Sequence, residues 1–453
     1  MLDLYLTIGV SKQEEAKMNE EAKVGYKLIL RQKEYMKTVT AAVINRFGDS
    51  IDSIALVWLV YQITQSAAWS AIIFGVNRIP TIFLQPFAGA MIEGRNKKRI
   101  MVITDLIRGL CVGLIASAHL LGFLNQWILL AATVAISCAE AFRGPASSAI
   151  LPKLLKKEYF SFGMSLNSSL CSVMELIGLG AAGVIISIFD VTAAIYVDMA
   201  TFFLSALIIA TLRVKEENLV RGKINAREYM NNLKGGFAYL NSNVVLRHFM
   251  LLAVFMNAVL VPLNSLQAPL VSEVLKVGEI MLSILGIAIA VGMAVGAALY
   301  PYLNQRLSKR TIASLGGYSI GIYYFVFVAV GSLPLPEIWV YVIVFLVSFV
   351  VGAAIAIFIS FCNVEFMKHI QGDYIARASS IFSATCVASI PVASFVVSIL
   401  AGFTPTVVLF FIAGILDVVI CIGLCSRKRF SVMEMSETEV IKDGEEITDS
   451  TAC

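Results

Sequence analysis

Charge and histidine are scarce in this chain. Only 15% of its 453 residues are Asp, Glu, Lys or Arg, and its three histidines, His119, His248 and His369, stand far apart. Its eight cysteines are scattered, nearly all within apolar runs, and Cys421 and Cys425, four apart, have no further ligand-type residues clustered with them. A metal site needs grouped donors and a disulfide framework needs paired loop cysteines, so neither is expected. No nucleophile–base constellation and no phosphate-binding glycine loop is present, so the expectation is a protein that is not an enzyme and needs no cofactor. The net charge of +4 is too small to suggest a nucleic-acid partner.

What the chain has is apolar length: 58% of its residues are hydrophobic. Crossing a ~30 Å hydrocarbon core takes about 20 apolar residues in a helix. Runs of that length recur, without the alternation of a lipid-facing barrel, and predict an all-α polytopic membrane protein. Twelve spans are expected, near 38–62, 69–92, 100–122, 127–150, 162–188, 192–212, 247–269, 280–301, 312–332, 338–362, 378–401 and 406–425. The charged head, 1–37, lacks the short basic region and cleavage site of a secretory signal, so no processing is expected. The predicted organisation is a cytoplasmic head (1–37), a six-helix bundle (38–212), a polar cytoplasmic loop (213–246), a second six-helix bundle (247–425) and a tail (426–453) whose composition reads as disordered.

Lys and Arg mark the cytoplasmic side because short basic loops resist translocation. With both termini inside, 30 of the 35 Lys and Arg residues fall in internal segments, one (Lys276) falls outside, and Arg46, Arg78, Arg108 and Arg143 fall within spans. Trp58, Trp69, Trp127 and Trp339 all sit near the span ends that this topology places outside, as interfacial tryptophans should. An internal repeat is also visible. Lys153, Glu158, Tyr159 and Ser165 recur as Lys368, Asp373, Tyr374 and Ser380 at a constant offset of 215, and "GAMIEGRNKKR" after span two has a degraded counterpart in "GAALYPYLNQRLSKR" after span eight. Parallel repeats of this kind are a transporter signature.

Ionisable groups inside spans cost ~2.5–3.5 kcal/mol on insertion scales, so each is a functional candidate with a partner to be found. They crowd the first half: Arg46, Asp49, Asp52, Arg78, Asp105, Arg108, Glu140, Arg143, Glu175 and Asp198, against Asp417 alone well inside a span of the second. Arg46/Asp49, Asp105/Arg108 and Glu140/Arg143 are three apart, so each pair shares a helix face and could neutralise itself. Glu175, in "CSVMELIGLGAAGV", has no basic neighbour on its own helix, and a lone buried carboxylate can load and release a proton. A satisfied interhelical hydrogen bond or salt bridge is the competing reading for each acid, and a carboxylate serves sodium as well as protons. The glycines Gly178, Gly180 and Gly183, and Gly286, Gly292 and Gly296, would let helices approach closely.

Twelve spans in two parallel sixes resemble the major facilitator superfamily, which carries GxxxDRxGR[RK] between spans two and three. Here Gly89 matches the first position, Glu93 stands for the acid, and Lys97 and Lys98 fill the terminal basic positions; Gly94 and Asn96 depart from the pattern and Arg95 is displaced by one. The resemblance implies a cytoplasmic latch of Gly89, Glu93, Arg95, Lys97 and Lys98, with Asp105 and Arg108 continuing it into span three. "INRFGDSIDSIALVWLVYQITQSA", "FRGPASSAILPKLL", "NSSLCSVMELIGLGAAG" and "AAIYVDMATFFLSALI" are similar to the macrolide-efflux and enterobactin-exporter branch, over about the first 215 residues. That branch implies export of drugs or siderophores in exchange for protons, and Arg143 could match the superfamily's span-four arginine. The expectation is a proton-coupled exporter of amphipathic small molecules in the cell membrane, functioning as a monomer. Asp49, Glu175 and Asp198 would be its coupling acids, Arg46 and Arg143 their partners, and Phe255, Tyr323, Tyr324 and Phe358 the apolar wall. The alternatives are an exporter of one dedicated metabolite, such as a siderophore or lipid, and a non-transporting membrane sensor or scaffold.

Overall fold

A computed structural model describes residues 29–92, 95–155, 160–214, 241, 243–370 and 375–426. Long helices dominate: α1 (Lys33–Thr64), α2 (Ala67–Ile92), α3 (Lys97–Leu120), α4 (Gln126–Leu154), α5 (Phe160–Phe189), α6 (Val191–Ala210), α7 (Val244–Val259), α8 (Ile280–Arg306), α9 (Lys309–Ser332), α10 (Glu337–Lys368), α11 (Ile375–Ala401) and α12 (Thr406–Leu424). Local chemistry sets their ends. Asn96, Asn125, Asn243 and Ser308 accept hydrogen bonds from first-turn N–H groups of α3, α4, α7 and α9, relieving donors that a helix start leaves unpaired. Pro336 and Pro405 immediately precede α10 and α12. Between α1 and α2, Gln65 takes a left-handed conformation (φ 45°) that reverses the chain in two residues.

Twelve long helices stand where twelve spans are expected, and among the described residues eleven of them pass as long and apolar enough to cross a membrane by length and composition alone. The exception is α1. At 32 residues it has the length, but Arg46, Asp49 and Asp52 in its middle break the apolar stretch. It nevertheless packs among the spanning helices, against α5 and α6. Beyond α7 the chain continues through short turns at Val261–Ser265 and Gln267–Pro269 into a π-helical turn, Leu270–Leu275. The central loop and tail expected from the sequence lie largely outside the described residues.

Packing repeats between the halves. In the first, α1 lies on α5 and α6, α2 on α4, and α3 on α4 and α6; in the second, α7 lies on α11 and α12, α8 on α10, and α9 on α10 and α12. Even the polar ties repeat at the end carrying the basic loops. Lys98 Nζ, at the start of α3, donates to the carbonyl of Leu212 beyond α6 at 2.8 Å, and Arg310 Nε, at the start of α9, donates to that of Cys425 beyond α12 at 3.0 Å. A cation here meets unpaired carbonyls and the negative end of the helix dipole.

The halves meet through α2 with α11 and α5 with α8, a symmetric pair of seams. Glycine makes one of them possible: a Cβ on Gly183 of α5 would sit 2.8 Å from Ser283 Cβ of α8. Within the second half, a side chain on Gly292 or Gly296 would run into the backbone of α10 at Phe349 and Ala353, so α8 and α10 touch almost backbone to backbone. At the end where Trp69 and Trp127 stack edge-on at 5.1 Å, Glu273 of the π-helical turn accepts a 2.7 Å hydrogen bond from Tyr61 of α1 and another from Thr406 of α12. One carboxylate therefore fastens the first half to the second at the tryptophan end.

Candidate coupling and binding site

Helical spacing puts the polar groups of the first half on converging faces. Asn45, Asp49 and Asp52 follow i, i+4, i+7 along α1; Asp105 and Arg108 follow i, i+3 on α3; Ile136, Glu140 and Arg143 follow i, i+4, i+7 on α4; Asp198, Phe202 and Ser205 follow i, i+4, i+7 on α6. Each face is turned toward the others, and two centres result.

The first centre is Arg108. Its Nη2 donates to Asp49 Oδ1 at 2.7 Å and lies 3.3 Å from Glu140 Oε2, while its Cζ stands 4.2 Å from the centroid of Phe202. One buried guanidinium thus serves two carboxylates from two other helices and stacks on an aromatic of a third. The second centre is Asp105, wholly buried. It accepts from Arg143 Nε at 2.7 Å and from Ser205 Oγ at 2.7 Å; Asn45, with its amide oxygen turned to Arg143, accepts from Nη2 at 2.5 Å.

These partners correct the pairing expected from spacing. Asp105 joins Arg143, and Arg108 joins Asp49 and Glu140, so the same-helix pairs have exchanged partners across helices. A cross-helix bond compensates charges of two helices at once, and at Arg108 and Asp105 the shared member is buried. Asp105 and Arg108, expected to continue the latch into span three, take their partners in these buried centres. Of the latch's other members, Lys98 ties α3 to the end of α6, Lys97 is buried, Arg95 is exposed, and Gly89 lies within the last turns of α2; Glu93 falls outside the described residues.

The remaining acids differ. Asp198 is buried against Gly48 of α1, with Oδ1 3.3 Å from Thr201 Oγ1 and Oδ2 unpartnered among the described residues. Glu175 is half-buried on α5 and makes no ion pair or hydrogen bond with a described residue. Asp52 is half-buried and likewise unpaired.

Asp49, Asp52, Arg108 and Glu140 line a cavity of about 300 Å³, together with Arg46, Arg78 and an apolar side of Leu56, Val57, Val60 and Ile73; Ser265 reaches it from the second half. A second cavity, about 250 Å³, lies within the second half and is mainly apolar, with Phe358, Phe382 and Ile355 beside Asn257, Asn363 and Ser383. Phe358 is thus a cavity residue. Phe255 is not on the lining of this cavity: Ala253, Met256, Asn257 and Leu260 carry α7's face toward it, and Phe255 points from the opposite side, exposed. Tyr323 and Tyr324 are also corrected, because both are wholly buried. Tyr324 Oη donates to Val259 O at 2.5 Å and accepts from Leu263 N at 3.2 Å, and Tyr323 Oη shares a hydrogen bond with Ser348 at 3.1 Å, so they bolt α9 to its neighbours.

Sequence reasoning missed Glu273 and Glu365. Glu365, wholly buried on α10, bonds both Lys309 and Lys368 at 2.8 Å; the Lys368 three residues on was the available signal. Glu273 had one as well, an acid between spans in the apolar stretch "APLVSEVLKV".

Residues 29–445 match the transmembrane secretion effector family. The chain belongs to that family of major facilitator transporters. Among its relatives, macrolide efflux protein A of Streptococcus pyogenes is 20% identical over 83% of this chain and 90% of its own length. The multidrug efflux pump Tap of Mycobacterium bovis (strain BCG / Pasteur 1173P2) is 22% identical over 74% and 80%. The fold is similar to that of the nucleoside transporter NupG (TM-score 0.69, 13% identity, 86% of this chain and 98% of that one) and of a bacterial homologue of the iron transporter ferroportin in an inward-facing state (TM-score 0.62, 16% identity, 87% and 99%). Family and relatives are transporters, not enzymes.

Proposed function

We propose that this protein exports amphipathic organic compounds across the cytoplasmic membrane in exchange for protons, by alternating access, with both termini cytoplasmic. One observation carries the coupling: Arg108 shares its charge between Asp49 and Glu140 on a cavity wall within the membrane, beside an unpaired Asp52. Around Arg108 two carboxylates compete for one guanidinium, and loading a proton on one acid releases the shared arginine to the other, a change that packed helices can transmit. Asp198 and Glu175 are secondary proton carriers, and Arg143 positions Asp105. The aliphatic side of the charged cavity, Leu56, Val57, Val60 and Ile73, supplies hydrophobic contact that drug-like compounds need, and the apolar cavity around Phe358 offers more in the second half. The names of the efflux relatives agree with this direction of transport.

Purified protein in liposomes with an imposed proton gradient tests the proposal on a panel of fluorescent amphiphiles. Gradient-driven movement is expected in wild type and should fall about tenfold or more in Asp49→Asn, Asp52→Asn and Glu175→Gln, while downhill exchange persists. Movement that ignores the gradient, or three variants that all couple normally, would reject proton coupling through these acids.

Alternating access gives Glu273 a definite task. Releasing Tyr61 opens the tryptophan end, so Tyr61→Phe and Glu273→Gln should raise outward-open populations. Cysteine pairs across that end, read by spin-label distances, should shift toward longer separations by about 5 Å or more if one helix turn of contact is lost. Unchanged distances in both variants would remove the clasp from the cycle.

A further inference from the structure

Arg46 and Arg78 are the charges that the cross-helix network leaves over. Both are exposed side chains lining the 300 Å³ cavity, and neither makes an ion pair with a described residue. Arg78 lies over the ring of Phe74 instead, its Cζ 5.9 Å from the centroid. A guanidinium at membrane depth is costly without an anionic partner, and its planar fork of donors fits a carboxylate-type group. On the same wall Asp52 makes no ion pair with a described residue, since Arg108, though near it, bonds Asp49 and Glu140. Arg46 and Asp52 are six residues apart on α1, so their Cα atoms are separated by roughly 9 Å along the axis. Between and beyond them the lining is aliphatic: Leu56, Val57, Val60 and Ile73.

Competition decides what may occupy such a wall. A purely anionic compound at Arg46 and Arg78 would favour protonation of the nearby acid and so bind together with the proton, which couples the two in one direction. Exchange requires the substrate to displace the proton, and a cationic group near Asp52 does so directly by charge repulsion. Resting on the export-for-protons reading, we infer that the substrates are zwitterionic amphiphiles: an anionic group held by Arg46 and Arg78, an amine facing Asp52, and an apolar body along the aliphatic lining. The two arginines set specificity, and Asp52 exchanges amine for proton.

The test uses the full chain in detergent and three forms of one fluorescent quinolone: the free carboxylate with its amine, the methyl ester, and the N-acylated carboxylate. Fluorescence anisotropy should show the zwitterion binding about tenfold or more tighter than either blocked form. Arg46→Gln and Arg78→Gln should reduce the zwitterion to the affinity of the ester without altering the ester, and Arg78→Lys should recover part of the loss. Both arginines are exposed, so a normal elution profile and thermal midpoint accompany these changes. Equal binding of ester and zwitterion by wild type, no binding of the zwitterion, or an equal loss for both ligands in the variants would overturn the inference. Liposomes separate the two readings: an ester driven by the gradient as fast as the zwitterion sinks the inference and keeps proton-coupled export, whereas arginine-dependent zwitterion binding without gradient-driven movement does the reverse.

Discussion

Arg108→Gln should abolish gradient-driven transport and destabilise the first half by about 1.5–3 kcal/mol, the scale of hydrogen bonds to charged groups, because the acids it leaves behind are partly exposed. No other cation among the described residues pairs with Asp49 or Glu140. Asp49 and Glu140 would face each other across α1 and α4 without a cation, and Phe202 would lose the guanidinium stacked on it at 4.2 Å. The thermal midpoint in detergent measures the stability, and liposome flux measures the function. The informative comparison is the triple variant in which Asp49→Asn and Glu140→Gln accompany Arg108→Gln. Neutral partners remove the repulsion, so stability should return toward wild type while transport stays lost. A triple variant that regains neither, or an Arg108→Gln protein that still transports, would contradict the role given to this residue.

Asp105→Ala should cost more stability, for a different reason. Asp105 is wholly buried and takes hydrogen bonds from Arg143 and Ser205, so its removal leaves a cation and a hydroxyl unsatisfied in the core. A loss of about 3–5 kcal/mol in the thermal assay is expected, with much of it recovered when Arg143→Met is added, because an apolar side chain of similar length replaces the orphaned charge. Transport in that double variant should survive at a measurable fraction of wild type, since Asp105 and Arg143 are not on the lining of the charged cavity. Complete loss of flux in a stable double variant would move this pair into the coupling machinery.

The two centres illustrate what was legible in the sequence. Apolar run length and basic loops locate almost every helix, because both depend on local composition; the expected span 192–212 and α6 at Val191–Ala210 differ by no more than two residues at either end. Ion pairing depends instead on which helix faces which. Asp105 and Arg108, three apart, look like partners until α4 and α1 bring Arg143 and Asp49 closer, and no spacing within one helix reveals that. Aromatic roles failed for the same reason: Tyr323 and Phe358 have similar local sequence surroundings, yet one is locked to Ser348 and the other lines a cavity. Glu365 was overlooked because the expected span ended at 362, whereas α10 continues to Lys368 and carries the acid inward.

Among the described residues the polar ties at the two ends are unequal, and this bears on where the carrier of the proposed cycle waits when empty. Lys98 with Leu212 and Arg310 with Cys425 each close a bundle upon itself, whereas Tyr61 with Glu273 joins one bundle to the other. Separating the bundles at the basic end leaves the first two bonds untouched. Separating them at the opposite end breaks a hydrogen bond to a carboxylate, of the kind that contributes ~1.5–3 kcal/mol. A bias of that size corresponds to roughly a 10- to 100-fold excess of one form over the other. If the protein exports in the proposed orientation, the favoured form gapes toward the cytoplasm, and the empty carrier would idle with its mouth turned to the compartment it clears.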